Sequence, residues 1–379
     1  MVPRHKTREV PCGKLVIGGG HPIWVQSLTT TATKDTELTK TEIRRMLDAG
    51  CEIVRISCFD IGDAQGIGAI KKFLPPDVPL VVDIHFNYKF ALEAIKQGAD
   101  KVRLNPGNVG GKASVFDDEA RRREKEVAEA AKNAGISMRV GVNSGSVEQD
   151  LLDKYGYATA DAIYESGVRH CEWLEKCGFK NIVVSLKSTS METVIAAYLR
   201  FGKETDIPLH VGVTEAGLPG YGTIKSAIGI GRILLEGLGD TIRVSLTGDK
   251  ALEVYAGFDI LKATGRRVRE PEIIACPLCG RAAVNHEDLV TRLKDLIKDL
   301  KVPMRISILA CAVNGPGEAA EADIGAAGER GQWLIFKKGK PLRRVKDGEV
   351  AVELEKEVRK LAAEMKDNGD LPGSHLKKE

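Results

Sequence analysis

Lys96–Asn108 reads KQGADKVRLNPGN, and the fold of most of the chain turns on how this stretch is read. Gly98 closes a polar, helix-like segment and Asp100 marks the turn out of it. Lys101–Asn105 then alternates as a strand does, so Arg103 and Asn105 share one face. The same cadence returns in DAGCEIVRIS at Asp48–Ser57 and in EGLGDTIRVS at Glu236–Ser245. Short apolar, β-branched runs predict strands at Ile23–Ser27, Glu52–Ser57, Leu80–His85, Lys101–Asn105, Ser137–Val142, Asn181–Leu186, Pro208–Val213 and Thr241–Leu246. Helix-like segments follow them, among them Glu37–Ala49, Lys89–Gln97, Phe116–Asn133 and Lys225–Glu236. Eight βα units between residues 24 and 263 predict an α/β fold, a TIM (β/α)8 barrel. An open doubly wound sheet is the alternative, but no G-x-G-x-x-G follows the first strand. The glycines of VIGGGH fall in a turn ahead of that strand.

The texture changes after residue 263. Residues 264–275, containing TGRRVREPE, read as a polar linker, and residues 276–366 as a small α+β domain. That domain opens on CPLCGR, then has a helix near His286–Leu300, a strand at Met304–Ala310, a hairpin in QWLIFKKGKPLRRV and a helix at Val350–Met365. Residues 367–379 read as a frayed tail.

Charge excludes some functions. The 56 basic and 53 acidic residues nearly balance and no long basic run occurs, which argues against a general nucleic-acid binder. Arg121–Arg123 lies among glutamates and reads as a solvated helix face. No apolar h-region follows the N-terminus and no stretch approaches a membrane span, so bacterial cytoplasm is the expected compartment. Eight cysteines in such a chain point to thiols or metal and not to a disulfide framework.

Strand alternation places chemistry at one end of the barrel. Arg55 shares a face with Ser57, Asp83 with His85, Arg103 with Asn105, Arg139 with Asn143, and Ser185 with Lys187. His210 shares one with Gly212 and Thr214, and Arg243 with Ser245 and Thr247. Barrel interiors are normally apolar, and barrel enzymes place their sites at the C-terminal ends of the strands. Arg55, Arg103, Arg139, Lys187 and Arg243 are five cations, whereas Asp83 and Glu215 can pair with only two. Unpaired buried charge is costly, and a phosphorylated or diphosphorylated ligand relieves it. Glu215, in GVTEAG, is a candidate general acid or base at a strand end; His210 and His85 are weaker candidates.

Cys276-x-x-Cys279 is a chelating pair, and Cys311 can add a third thiolate. Three readings stand open: a zinc site with His286 or another residue as fourth ligand, an iron–sulfur cluster on three thiolates plus a further ligand, or buried thiols. Glu318 lies seven residues past Cys311, and the turn Asn314–Gly317 can fold it back. Cys12, Cys51, Cys58, Cys171 and Cys177 carry no comparable pattern.

Taken in order, VQSLTTTATKD, VVDIHF, KVRLNPGN, RVGVNSGS, SLKS, HVGVTEAG, TIRVSLT, ACPLCGR and CAVNGPGEA resemble the 4-hydroxy-3-methylbut-2-enyl diphosphate synthase family over nearly the whole chain, in its two-domain bacterial form. The resemblance implies a barrel followed by a cluster domain similar to a sulfite-reductase half-domain. It implies one 4Fe-4S cluster on Cys276, Cys279, Cys311 and Glu318, with 2-C-methyl-D-erythritol 2,4-cyclodiphosphate as substrate. It assigns proton transfer to Glu215 and a diphosphate clamp to Arg55, Arg103, Arg139, Lys187 and Arg243, helped by Asn105, Asn143, Ser245 and Thr247. Asp83, His210 and Asn314 complete the implied substrate site. A head-to-tail homodimer and flavodoxin or ferredoxin as electron donor are implied as well. This chain departs from the family's usual pattern at Ala310, where Gly is common, and at Lys250, where Pro is common. The competing reading is a barrel transferase of the dihydropteroate-synthase kind with a structural zinc domain, which keeps the cations but is redox-silent.

Overall fold

The computed structural model describes residues 2–109, 116–311 and 321–367, in two compact units that divide after Thr264. In the first unit, β1 (Val10–Cys12) and β2 (Leu15–Ile17) form an antiparallel hairpin. The eight strands that follow are β3 (Trp24–Leu28), β4 (Ile53–Cys58), β5 (Leu80–Ile84), β6 (Lys101–Leu104), β7 (Ser137–Asn143), β8 (Ile182–Lys187), β9 (His210–Val211) and β10 (Thr241–Ile242). They pair in parallel in the order β8-β7-β6-β5-β4-β3-β10-β9, and a parallel bridge from Val184 to Leu209 joins the two ends into a barrel. All eight lie where periodicity predicts them. β9 and β10 are shorter than Pro208–Val213 and Thr241–Leu246, because the chain leaves the ladder early to form the loops carrying Glu215 and Thr247.

Local chemistry starts the helices. Asp60, Asn87, Asp117, Thr159, Ser190 and Asp249 each accept a backbone N–H one to three residues into the helix that follows. The Arg triplet is a solvated face, with Arg122 and Arg123 both paired to Glu119. No helix among the described residues is long and apolar enough to cross a membrane.

The β1–β2 hairpin was not legible in the sequence. Its strands are three residues each, too short to show a period. Val10, Cys12 and Ile17 pack against Ile53, Val81 and Val183 near the N-terminal ends of β4, β5 and β8, and Trp24 Nε1 donates to Val16 O at 2.7 Å. The hairpin therefore plugs the barrel floor and leaves the C-terminal mouth for the site.

His170, Glu124 and Glu148 form a buried clamp that the sequence also hid. His170 Nδ1 lies 2.5 Å from Glu124 and Nε2 lies 2.8 Å from Glu148, with the Phe116 ring packed against the imidazole. Burial opposes the His170 charge, but the two carboxylates outweigh it and raise the pKa to about 9. The raised value means the clamp's stabilisation is complete below the unfolded pKa of about 6.5 and is lost as pH climbs through 9. Its size is on the order of 3 kcal/mol. Chemical denaturation between pH 6 and 10 should show this decline, and His170→Gln should flatten it.

The second unit is a five-stranded sheet in the order β11 (Glu272–Ala275), β12 (Arg305–Leu309), β13 (Ile324–Glu329), β14 (Gln332–Lys337), β15 (Lys340–Lys346). The first three run parallel, and the last two join by antiparallel pairing. Lys338 and Gly339 both have positive φ, 48° and 71°, as the two-residue turn of the β14–β15 hairpin requires. Helices Glu287–Leu296 and Val350–Asp367 bury Leu289, Leu293, Leu354 and Val358 with Ile306, Ile308 and Ile335 of the sheet. Residues 272–275, within the stretch that reads as linker, form β11; its residues are half-buried or exposed, which blunts the periodic signal.

Candidate functional site

The barrel register brings the predicted side chains together. Asp83 is the Cα partner of Arg103, Arg103 of Arg139, and Asn143 of Lys187, so these side chains point inward in adjoining layers. Asp83 accepts from Arg103 Nη1 at 3.0 Å and is hydrogen-bonded to Arg55 Nη2. Arg103 Nη2 donates to Gly141 O at 2.7 Å, and in the amide orientation that satisfies its neighbours Asn143 accepts from the same nitrogen at 3.1 Å. Asn105 bonds Ser146 Oγ at 2.8 Å. His210 is fully buried, its Nδ1 2.8 Å from Thr241 Oγ1 and its Nε2 without a partner among the described residues. Ser245 is half-buried and Thr247 exposed on the loop past β10.

Two glycines make room for this set. A Cβ on Gly141 would stand 2.2 Å from Arg103 Nε, and one on Gly212 would stand 2.7 Å from Lys187 Nζ. Both occupy inward positions where a barrel otherwise places a side chain. The glycines of RVGVN and HVGVT therefore carried a signal that the sequence reading passed over.

Glu253 is the carboxylate the sequence reading missed. It accepts from Arg243 at 3.3 Å, Lys250 at 2.8 Å, Ser27 Oγ at 2.8 Å and Leu246 N at 2.9 Å, and its side chain is wholly buried. Of the two carboxylates that could pair with these cations, Asp83 does so and Glu215 does not: Glu215 makes no ion pair among the described residues and is exposed. It lies in the loop beyond β9, four residues past the end of the strand. Its φ of 52° is a left-handed conformation unusual for this residue type.

The interior holds more positive charge than it can pair. Burial opposes the Asp83 charge, yet Arg55 and Arg103 hold its carboxyl well below the usual range. Burial, then Arg55 and Arg103, depress Arg139, whose Nε and Nη1 are buried and have no hydrogen-bond partner among the described residues. Burial, then Arg139 and Arg243, push the Lys187 amine well below its ordinary value. His210 is pushed down by burial and by Arg139 and Lys187, which keeps it neutral. An anion entering this chamber raises the depressed amine. Inorganic pyrophosphate should therefore take up protons from buffer on binding, and affinity should fall as pH rises. Calorimetry in buffers of different ionisation enthalpy measures the uptake, which Lys187→Met should diminish.

In the second unit Cys276, Cys279 and Cys311 line one cavity of about 350 Å³ with Pro277, Leu278 and Leu309. Leu278 has a φ of 55°, which turns the chain between Cys276 and Cys279. Ala310 N donates to Cys276 Sγ at 3.3 Å. The Arg281 backbone N–H and guanidinium lower the Cys279 thiol pKa, which favours the thiolate a metal binds. By contrast burial pushes Cys51 and Cys58 up to about 12, as inert core thiols. A single tetrahedral zinc needs donors about 4 Å apart. A cluster binds each thiolate through a different iron and spreads them wider, so the three cysteines around one cavity fit it. Asn314 and Glu318 lie outside the described residues.

Comparison with known proteins bears on both units. The family model for the GcpE TIM-barrel domain matches residues 7–258, and that for the GcpE protein C-terminal domain matches residues 272–360. The 4-hydroxy-3-methylbut-2-en-1-yl diphosphate synthase (flavodoxin) of Shouchella clausii is 47% identical over 363 residues, 96% of each chain. That of Thermodesulfovibrio yellowstonii is 46% identical over 360 residues, 95% of this chain and all of the relative. Among solved structures, dihydropteroate synthase from Thermus thermophilus aligns with a TM-score of 0.47 at 13% identity, covering 68% of this chain and 97% of that one.

Proposed function

The chain belongs to the GcpE family of 4-hydroxy-3-methylbut-2-en-1-yl diphosphate synthases, enzymes of the methylerythritol phosphate route to isoprenoids, and from that premise we propose how its residues divide the reaction. The barrel, residues 1–263, binds the cyclic diphosphate; residues 276–366, with the strand β11 that precedes them, hold a 4Fe-4S cluster on Cys276, Cys279, Cys311 and Glu318, and residues 264–271 connect the two. The observation that supports this most is the surplus of buried cations at the barrel mouth, where Asp83 and Glu253 are the carboxylates that pair with them among the described residues. A small diphosphate fits that surplus, and a neutral substrate leaves it unrelieved.

In the reaction, two electrons and protons open the cyclodiphosphate ring and expel water, leaving the allylic diphosphate. When bound, the cluster supplies those electrons one at a time. Arg55, Arg103, Arg139, Lys187 and Arg243 grip the diphosphate, and Asn105, Asn143, Ser245 and Thr247 hydrogen-bond the rest of the substrate. Asp83 keeps the Arg55 and Arg103 guanidinia aimed. Neutral His210 supports the floor of the site without adding charge. Glu215 carries the proton that leaves with the departing hydroxyl, and Asn314 contacts substrate from the cluster domain. The donor is flavodoxin or ferredoxin. On this reading the enzyme works in the cytoplasm as a head-to-tail homodimer.

The ligand set has its own test. Glu318→Ala should yield protein whose iron is lost on desalting and whose turnover collapses. Unchanged iron and unchanged activity would remove Glu318 from the set.

A further inference from the structure

His286 sits 10 residues beyond Cys276 and caps the helix Glu287–Leu296, with only 4% of its surface exposed. Its Nε2 lies 2.7 Å from the Cys276 carbonyl oxygen and 3.3 Å from the Cys276 sulfur. A carbonyl oxygen only accepts, so Nε2 must carry the hydrogen. A ring nitrogen that carries its proton has no lone pair for a metal. His286 is thus not the fourth ligand that the zinc reading needs from this nitrogen. The same N–H points at a sulfur that already receives Ala310 N at 3.3 Å.

We propose that His286 is a positioning residue that donates Nε2–H to the Cys276 thiolate and raises the reduction potential of the cluster. The inference rests on the cluster reading above. Adding an electron increases the negative charge shared by the thiolates. An N–H dipole aimed at one sulfur therefore stabilises the reduced form more than the oxidised form. The bond to the Cys276 carbonyl fixes the imidazole so that its N–H stays aimed. Cys276 thus carries two N–H donors, one from the backbone and one from a side chain.

The test is a potentiometric titration of the anaerobic full-length protein, followed by electron paramagnetic resonance. His286→Leu, which removes the donor, should shift the potential to a more negative value at unchanged iron and sulfide content. His286→Gln, which restores an N–H, should return it toward wild type. An unshifted His286→Leu potential in iron-loaded protein overturns the inference and leaves the cluster reading intact; wild-type protein without iron overturns the cluster reading itself. Should His286→Leu fail to load, wild-type protein labelled with ¹⁵N-histidine decides by pulsed resonance on the reduced cluster. A weak ¹⁵N coupling that vanishes in His286→Gln is the expected result. A strong coupling, as from a bonded nitrogen, or no coupling, contradicts it.

Discussion

Glu215→Gln is expected to lower turnover by roughly 10²- to 10⁴-fold, the usual worth of a positioned general acid, while iron content and substrate affinity stay near wild type. The substitution keeps the size of the side chain and removes only its proton chemistry. Glu215 lies just beyond β9, in a loop tied to the loop after β10 by Thr247 N donating to Gly217 O at 3.0 Å. It forms no ion pair among the described residues, so no charge partner is orphaned by the change. Its backbone sits at φ 52°, where a residue other than glycine is strained by about 1 kcal/mol. That strain fits a residue whose carboxyl has a task at the strand end. Glu215→Gly should accordingly be inactive and yet more stable by about 1 kcal/mol. A Gln variant with full turnover, or one that loses its iron, would contradict the assignment.

Arg139→Met should weaken substrate binding strongly without harming the fold. Arg139 is buried beside Arg55 and Arg103, and two of its nitrogens have no partner among the described residues. Replacing an unpaired buried charge with an apolar side chain of similar length is neutral or stabilising, by about 1–4 kcal/mol. Losing two charge-assisted bonds to the diphosphate should weaken binding by roughly 10²- to 10³-fold. Asp83→Asn should do the reverse to stability. It strips Arg55 and Arg103 of their shared carboxylate and should cost about 3–5 kcal/mol. Thermal melts with calorimetric titration separate the two outcomes. A destabilised Arg139→Met that binds normally would mean the arginine is structural.

The barrel could be read from sequence because each strand repeats one device: a turn marked by Gly or Asp, then strict alternation. Alternation also foretold that Arg55, Asp83, Arg103, Arg139 and Lys187 converge, since a period of two fixes a face without any knowledge of partners. Partners are another matter. Glu253 lies on the helix after β10, and nothing local signals that its carboxylate turns inward to Arg243 and Lys250. The buried Lys250 amine, which donates to Leu246 O at 2.7 Å and to Glu253 at 2.8 Å, ties this network together. The His170 clamp was hidden for the same reason, its members lying 22 and 46 residues apart. His286 reads in the sequence as a possible fourth zinc ligand behind CPLCG; only the position of its Nε2 over the Cys276 carbonyl shows that it donates.

The most direct test of a cluster-bearing diphosphate reductase is the iron and acid-labile sulfide content of anaerobically purified protein, taken with its visible spectrum. About four irons and four sulfides per chain and broad brown absorption are expected, with a reduced-state resonance signal altered by the cyclodiphosphate. One zinc, no sulfide and no colour would contradict the account and favour the transferase with a structural zinc domain.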